Sequence, residues 1–195
     1  MTINEIYKPQ QVNKQTILRV REEKKENFTK SILRKIYSKY LEIKFDFNFL
    51  GEGLRWGYEW KIKRGVLSIG NFVFIGSNAY IIYPTVIGDL TLIAPDLIIA
   101  GNDHGYKIPG TPMTIALPET QSKEIATTIE SEVWIGQRCT IIHGIRIGRG
   151  SIIAAGSVVT KDVPEYSVIA GVPAITIKKR FSPEDEIKHI HDLYK

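Results

Sequence analysis

The chain has a single cysteine, Cys139, among its 195 residues, so no disulfide can form within it. One unpaired thiol is typical of a reducing compartment, and we expect a cytoplasmic protein. No apolar run approaches the length that spans a bilayer. The first ten residues, MTINEIYKPQ, lack the apolar core of a signal peptide, so we expect no secretory leader.

Acidic residues are fewer than basic ones, 21 against 26, which leaves a net charge of +5. An excess of positive charge favours an anionic ligand or partner and says nothing about the fold. The cations are spread along the chain and no nucleic-acid-binding motif accompanies them. We therefore expect a small anionic ligand and no nucleic-acid partner.

A repeat of six residues organises residues 129–164, which divide into IESEVW, IGQRCT, IIHGIR, IGRGSI, IAAGSV and VTKDVP. Each hexad opens with Ile or Val. A second block in the same frame covers residues 69–104 as IGNFVF, IGSNAY, IIYPTV, IGDLTL, IAPDLI and IAGNDH. So short a period predicts stacked turns that bury their apolar sides against one another. An ordinary β-sandwich would instead alternate with a period of two.

Each hexad position has a predicted role. The leading Ile or Val should point inward, and the fifth residue should be small or β-branched because it packs beside that leader. Turn-forming residues are expected at the corners, where positive φ or a fixed turn is needed. These residues are Gly70, Gly76, Gly88, Gly136, Gly148, Asn71, Asp89 and Pro84.

Three motifs resemble those of the hexapeptide-repeat acyltransferases, notably galactoside, maltose and polysaccharide O-acetyltransferases. They are VWIG at 133–136, AAGSVVTKDVP at 154–164 and AGVPA at 170–174. The resemblance covers about residues 67–178 and implies a mainly β fold, a left-handed parallel β-helix with three hexads per coil. The handedness comes from the resemblance alone, since crossovers between parallel strands are usually right-handed.

We divide the chain into a helical and capping segment (1–65), the β-helix (66–178) and a C-terminal helix (179–195). Residues 105–128 contain three prolines and no hexad, which predicts a long loop. The leading positions before and after this loop differ by a multiple of six. The loop can therefore leave and rejoin the solenoid at one corner without shifting the register.

Asn27 or Thr29 is expected to cap a helix that ends near Glu42. Its apolar residues recur at steps of three and four, with lysines between them: Ile32, Leu33, Ile36, Tyr40 and Leu41. Such a helix can lie on an anionic membrane or cap the core with its lysines in water; we expect the second. The aromatic stretch 43–64 should form an irregular first coil or a short hairpin, with a sugar-binding platform as the alternative. Ser182 should cap the C-terminal helix.

The resemblance implies that His104, at the end of LIAPDLIIAGNDH, is the catalytic base. A neutral imidazole would take the proton of an acceptor hydroxyl as its oxygen attacks a thioester carbonyl. The alternative is a surface histidine that ends a strand. Asn102 and Asp103 would orient the ring or bind the acceptor. His143 should lie one coil above Gly101, either as an exposed wall residue, which we expect, or in contact with substrate or loop.

The resemblance also implies acetyl-CoA as the acyl donor. Small residues would let the pantetheine arm lie against the wall, and lysines would meet its phosphates. The candidate CoA-binding residues are Trp134, Gln137, Ala155, Thr160, Lys161 and Lys178. No metal is expected, because His189 and His191 belong to the terminal helix and too few ligands remain. Cys139 should point inward, which favours direct transfer over an acyl-cysteine.

The function implied is an acetyl-CoA-dependent O-acetyltransferase acting on a sugar or a surface-polysaccharide precursor. A homotrimer is expected, with acceptor clefts between chains; a peripheral membrane contact is not expected. The alternatives are an N-acetyltransferase acting on an amino sugar and a non-catalytic scaffold. Phe74 replaces an acceptor-binding asparagine of the galactoside and maltose enzymes, and their N-terminal acceptor segment has no counterpart here. The acceptor, the position modified and the acyl group therefore stay open.

Overall fold

A computed structural model describes residues 11–24, 27–101, 105–116 and 125–195. Helices α1 (Lys14–Glu23) and α2 (Phe28–Phe45) precede the strands, and α3 (Pro183–Tyr194) follows them. The earlier strands are β1 (Phe49–Leu50), β2 (Arg55–Trp56), β3 (Lys61–Ile62), β4 (Leu67–Ile69), β5 (Phe74–Ile75), β6 (Tyr80–Ile81), β7 (Thr85–Ile87), β8 (Leu92–Ile93) and β9 (Ile98–Ala100). The later strands are β10 (Thr127–Ile129), β11 (Trp134–Ile135), β12 (Thr140–Ile142), β13 (Arg146–Ile147), β14 (Ile152–Ile153), β15 (Val158–Val159), β16 (Ser167–Gly171) and β17 (Ala174–Lys179).

From β1 to β15, every third strand joins the same sheet, so successive coils stack into a three-sided parallel solenoid. Sheet A has the order β1-β4-β7-β10-β13, sheet B the order β2-β5-β8-β11-β14-β16-β17, and sheet C the order β3-β6-β9-β12-β15. All neighbours pair in parallel except β16 and β17. The predicted β-helix is confirmed. We name the A–B, B–C and C–A edges after the two sheets that meet there.

The hexad frame fixes the core. The leading residues Ile87 and Ile129 are paired in β7 and β10, and both are buried. The fifth positions of the second block are buried as predicted: Val133, Cys139, Ile145, Ser151, Ser157 and Val163. Leu97, at a fifth position of the first block, is also fully buried.

The glycines that follow the hexad leaders do not serve the purpose predicted for them. None of Gly70, Gly76, Gly88, Gly136 and Gly148 has a positive φ. They are needed because the next coil passes very close: a Cβ on Gly88 would lie 2.5 Å from the backbone nitrogen of Ser131. Close stacking of coils, not turn geometry, excludes a side chain here.

Left-handed backbone occurs two residues later, at the fourth hexad position. Its occupants with positive φ are Phe72, Asn78, Leu90, Asp96, Glu132, Arg138, Gly144, Gly150 and Gly156. Such a φ is unfavourable for Leu or Phe. It is stabilised by a hydrogen bond between coils, since the N–H of Leu90 donates to the carbonyl of Asn71 at 2.8 Å and that of Glu132 to Asp89 at 2.8 Å.

The long loop leaves and rejoins at the C–A edge, as predicted. It follows β9 of sheet C and ends at β10 of sheet A, so Thr128 belongs to the strand. The pairing of β9 with β12 continues the register across it, with Ile99 opposite Ile141. Within residues 105–116 of the loop, most side chains are exposed.

Helix α2 closes the N-terminal end of the solenoid. Asn27 caps it as predicted, accepting from the N–H of Lys30 at 3.0 Å, but the helix continues to Phe45. Leu41 and Phe45 are buried in the core. Ile32, Leu33, Ile36, Tyr40 and Ile43 are exposed, which differs from the expectation that the helix would show only its lysines to water. Tyr37 stacks on Trp56 of β2, with ring centroids 5.1 Å apart. The stretch 43–64 contributes β1, β2 and β3, one strand to each sheet, and thus forms a first coil and not a hairpin.

Helix α3 packs along the A–B edge through polar contacts. Glu132 binds Arg180 at 2.9 Å and the Nε2 atom of His189 at 2.6 Å. Ser182 caps α3, accepting from the N–H of Asp185 at 3.2 Å. Ile187 of this helix is 71% exposed. No helix in the described ranges is long and apolar enough to cross a bilayer.

The close approach of coils predicts a large penalty at Gly88. Gly88→Ala places its Cβ 2.7 Å from the carbonyl carbon of Glu130, and should lower the free energy of unfolding by about 2 kcal/mol. Gly65→Asn is the matched control, because no atom lies within 4 Å of its added Cβ and Asn tolerates positive φ. Urea denaturation measures both; equal effects would contradict this account.

Candidate active site

The predicted catalytic residue His104 and its neighbours Asn102 and Asp103 lie outside the described residues. Gly101, the last described residue before them, follows β9 at the C–A edge. The adjacent coils form the surroundings of Gly101.

Tyr83, Gly101 and His143 form a column on the C–A edge, because each occupies the third position of its hexad in three successive coils. The rings of Tyr83 and His143 stack with their centroids 4.7 Å apart and their planes at 26°. They meet across Gly101, where a Cβ would lie 2.8 Å from that of His143. A glycine in the middle coil thus allows side chains two coils apart to touch.

This column also fixes the backbone that leads to residues 102–104. The hydroxyl of Tyr83 donates to the carbonyl of Gly101 at 2.7 Å. The N–H of His143 donates to the carbonyl of Ala100 at 2.6 Å. His143 was expected to be an exposed wall residue; it is half-buried, because its ring packs against Tyr83.

Burial lowers the pKa of His143 below its ordinary value of 6.5, so the neutral ring is favoured. Its Nδ1 atom is buried and has no hydrogen-bond partner within the part of the chain that the structure describes.

The loop returns to the same edge through fixed contacts. The N–H of Thr127 donates to the carbonyl of Pro84 at 2.9 Å, and the Thr127 hydroxyl accepts from the N–H of Gly144 at 3.0 Å. Ile125 is 55% exposed beside them. The end of β9 and the returning end of the loop therefore lie next to the Tyr83–His143 stack.

Thr160 and Lys161 lie further along the C–A edge. Lys161 occupies the third hexad position of the next coil, in the same column as His143, and both Thr160 and Lys161 are exposed. They line a groove of about 270 Å³ with residues of β17 and the turn before it, including Pro173 and Thr176. The structure thus brings these two candidates to the same edge as the column.

Gln137 and Ala155 are at the B–C edge instead. The amide Nε2 of Gln137 donates to Asp96 at 3.2 Å, and Asn78 donates to the same carboxylate at 2.9 Å. Both hydrogen bonds lower the pKa of Asp96, and the one from Asn78 has the larger effect. Ala155 and Thr160 lie on opposite sides of β15, the strand that this coil contributes to sheet C.

Trp134 and Lys178 are on the outer face of sheet B. Trp134 is 53% exposed and pairs between Leu92 and Ile152. Lys178 pairs with Val168 at the end of the sheet. The six predicted CoA-binding residues therefore occupy two edges and one face, and one chain does not gather them into a single pocket within the described residues.

Cys139 is buried in the core, as predicted. Burial raises the pKa of its thiol, and its Sγ atom donates to the carbonyl of Ala154 at 3.2 Å. A protonated, enclosed thiol is a poor nucleophile.

Tyr83 is the residue that sequence reasoning missed. It occupies the third position of IIYPTV, in the column of Gly101 and His143. Aligning third positions across coils, and noting the intervening glycine, would have found it.

Two family models match the repeat blocks. Residues 126–161 match the bacterial transferase hexapeptide (six repeats), and residues 66–94 match the hexapeptide repeat of succinyl-transferase. Among curated proteins, the chain is 37% identical over 143 residues to WbbJ of Escherichia coli K12, named as a lipopolysaccharide biosynthesis O-acetyl transferase. That match covers 70% of this chain and 71% of the relative.

Two solved structures are similar over most of the chain. A galactoside acetyltransferase in complex with coenzyme A has a TM-score of 0.62 at 26% identity, covering 88% of this chain and 80% of that one. The hexapeptide-repeat acetyltransferase VCA0836 of Vibrio cholerae, complexed with acetyl coenzyme A, has a TM-score of 0.62 at 26% identity and covers 76% and 79%. The hexad register, the looped C–A edge and these matches agree, and the chain belongs to the hexapeptide-repeat acetyltransferases, a family of acyltransferases.

Proposed function

We propose that the protein transfers an acetyl group directly from acetyl-CoA to a hydroxyl of a sugar or surface-polysaccharide precursor, in the cytoplasm. The observation that carries this is the column at the C–A edge. There Tyr83 and His143 hold the backbone of Gly101 next to residues 102–104, and Lys161 lies in the same column. The relative WbbJ, named for O-acetyl transfer in lipopolysaccharide biosynthesis, supports the acceptor class.

His104 acts as the general base in this proposal. Its imidazole takes the proton of the acceptor hydroxyl while the oxygen attacks the thioester carbonyl. The tetrahedral oxyanion collapses, the carbon–sulfur bond breaks, and the CoA thiolate receives the proton from the imidazolium. Asn102 and Asp103 orient the base or the acceptor, and His143 is a positioning residue that fixes the start of the segment.

The donor is held along the C–A edge, where Lys161 meets a phosphate and Thr160 lines the groove. A Lys–phosphate contact of this kind is a charge-assisted hydrogen bond. Gln137 and Ala155, on the B–C edge, and Trp134, on the face of sheet B, contribute from a second chain. Support for a second chain is that these residues are separated from Thr160 by sheet C within one chain.

A homotrimer accounts for this separation. In a closed ring, each subunit presents one patch to a different patch of its neighbour, so two unlike edges meet at every contact. The C–A edge of one chain then faces the B–C edge or B face of the next, and the loop covers the cleft. Exposed apolar residues in the described loop suit such a cover: Tyr106, Ile108, Met113, Ile115 and Ile125.

Replacing His104 tests the base. His104→Ala should lower kcat/KM for acetyl transfer at least about 100-fold, the usual contribution of a general base, with an unchanged melting temperature. A thiol-release assay with hydroxyl-bearing and amino-bearing sugars measures it. His191→Ala is the control, because that side chain is 74% exposed on α3. Retained activity in the folded His104→Ala enzyme would contradict the role of His104 as the general base. Turnover of amino-bearing sugars alone would show that the enzyme is an N-acetyltransferase and not an O-acetyltransferase.

Replacing Lys161 tests the donor site. CoA should raise the melting temperature of the wild type, since a ligand that binds only the folded state stabilises it. Lys161→Glu should raise the Kd for CoA on the order of tenfold by losing a charge-assisted contact. Lys188→Glu, exposed on α3, is the control. If Lys161→Glu and the wild type bound CoA with equal affinity, the CoA phosphates would not contact Lys161.

Acidification tests the buried state of His143. The unfolded chain binds the proton near pH 6.5 and the folded chain only at lower pH. The unfolded state therefore holds more protons below that value, and stability falls as the pH falls. His143→Phe keeps the stack on Tyr83 and should show a smaller loss of melting temperature between about pH 7 and 5. Parallel losses in both proteins would show that His143 titrates as an exposed residue.

A further inference from the structure

The outer face of α2 is apolar although it points away from the solenoid. Its exposed fractions are 61% for Leu33, 63% for Ile36, 50% for Tyr40 and 65% for Ile43, with Ile32 at 41%. At 3.6 residues per turn, these five side chains lie within an arc of about 100°. Leu41 and Phe45, on another side of the helix, are buried in the core, and Tyr37 stacks on Trp56 of the first coil. The fold thus uses one face of α2 and leaves a second apolar face outward.

Cations border this stripe on both sides. By the same helical geometry Lys35 and Lys39 lie along one flank, and Lys30 and Lys44 along the other; all four are exposed. The ammonium group of Lys44 lies 5.9 Å from the ring centroid of Tyr40 and 5.0 Å from that of Phe45, between the stripe and the core side of the helix. Helix α2 carries five cations and one carboxylate, a net charge of +4.

A basic groove opens beside the Lys35–Lys39 flank, between α1, α2 and the first coil. Its volume is about 670 Å³, and its lining includes Arg21, Lys24, Arg34, Lys35 and Lys39 with the carboxylates Glu42 and Glu52. Burial lowers the pKa of Lys24, and the nearby cations Arg55 and Arg34 lower it further. Arg21 pairs with Glu52 at 2.6 Å and Lys39 with Glu42 at 2.9 Å. Five cations against two carboxylates leave the lining with a net positive charge that would accept phosphate oxygens.

We propose that α2 docks on the surface of an anionic lipid bilayer. The apolar stripe enters the boundary between head groups and acyl chains, and the flanking lysines and the basic groove contact lipid phosphates. Lysine stems that run along apolar surface and end in water suit this depth. Helix α2 is about 27 Å long and closes the end of the solenoid, so it can lie flat while the coils stand away from the membrane.

Charge favours a lipid surface over a second copy of the chain. An isologous or threefold contact through this stripe would bring helices of net charge +4 side by side, with their lysines facing one another. Like charges at such a contact oppose association. An anionic bilayer compensates the same lysines.

The test is co-sedimentation with vesicles. The wild type should sediment with vesicles of equimolar phosphatidylcholine and phosphatidylglycerol, weakly with phosphatidylcholine alone, and less as salt is raised. Ile36→Asp should weaken binding on the order of tenfold, because it places a charge in the apolar stripe. Lys35→Glu should weaken it by reversing a flanking charge. Ile187→Asp, at a side chain 71% exposed on α3, is the matched control and should bind as the wild type.

Circular dichroism and light scattering accompany each variant. A folded Ile36→Asp protein of unchanged oligomeric state that no longer sediments supports the proposal. No sedimentation of the wild type, or equal sedimentation of Ile36→Asp, would overturn it. So would a loss of binding that accompanies a smaller oligomeric mass, since the stripe would then be a contact between copies. Acetyl transfer to a water-soluble acceptor should be unchanged in Ile36→Asp, which separates this outcome from any failure of the catalytic proposal.

Discussion

The spacing between coils is the constraint on which the rest of the structure depends. Parallel strands stack about 4.8 Å apart, and this distance determines what each hexad position can hold. The first and fifth positions fill the interior, the second passes so close to the next coil that glycine is favoured, and the fourth adopts positive φ. The third and sixth positions, on the edges and faces of the solenoid, are the ones where the spacing leaves the side chain unconstrained.

The C–A edge carries a column of these unconstrained third positions. Third positions of four successive coils place Tyr83, Gly101, His143 and Lys161 in one column. The glycine lets two rings meet across a coil, and the stack they form is half-buried without belonging to the core. A rigid column beside a long loop can hold reacting groups in place, which loops alone do poorly. The chemistry proposed here depends on that rigidity more than on any one contact.

The repeat predicted the register of the strands within residues 69–104 and 129–164, because a period of six places every leader inward whatever the corner geometry. The role of the second-position glycines was predicted wrongly, because the closeness of the next coil appears only when coils are stacked. Positive φ at Leu90 or Glu132 could not be predicted from residue type. The outward stripe of α2 was missed because periodicity shows that a helix is amphipathic and not which side meets the core. Handedness came from the resemblance, and His104 stays a prediction from motif alone.

A structure of the protein with acetyl-CoA bound is the measurement that tests the central claim most directly. The account predicts the thioester at the C–A edge, beside residues 102–104 and the Tyr83–His143 stack, with a phosphate near Lys161 and a second chain closing the site. A donor bound elsewhere on the solenoid, or a C–A edge filled by the chain itself, would contradict it.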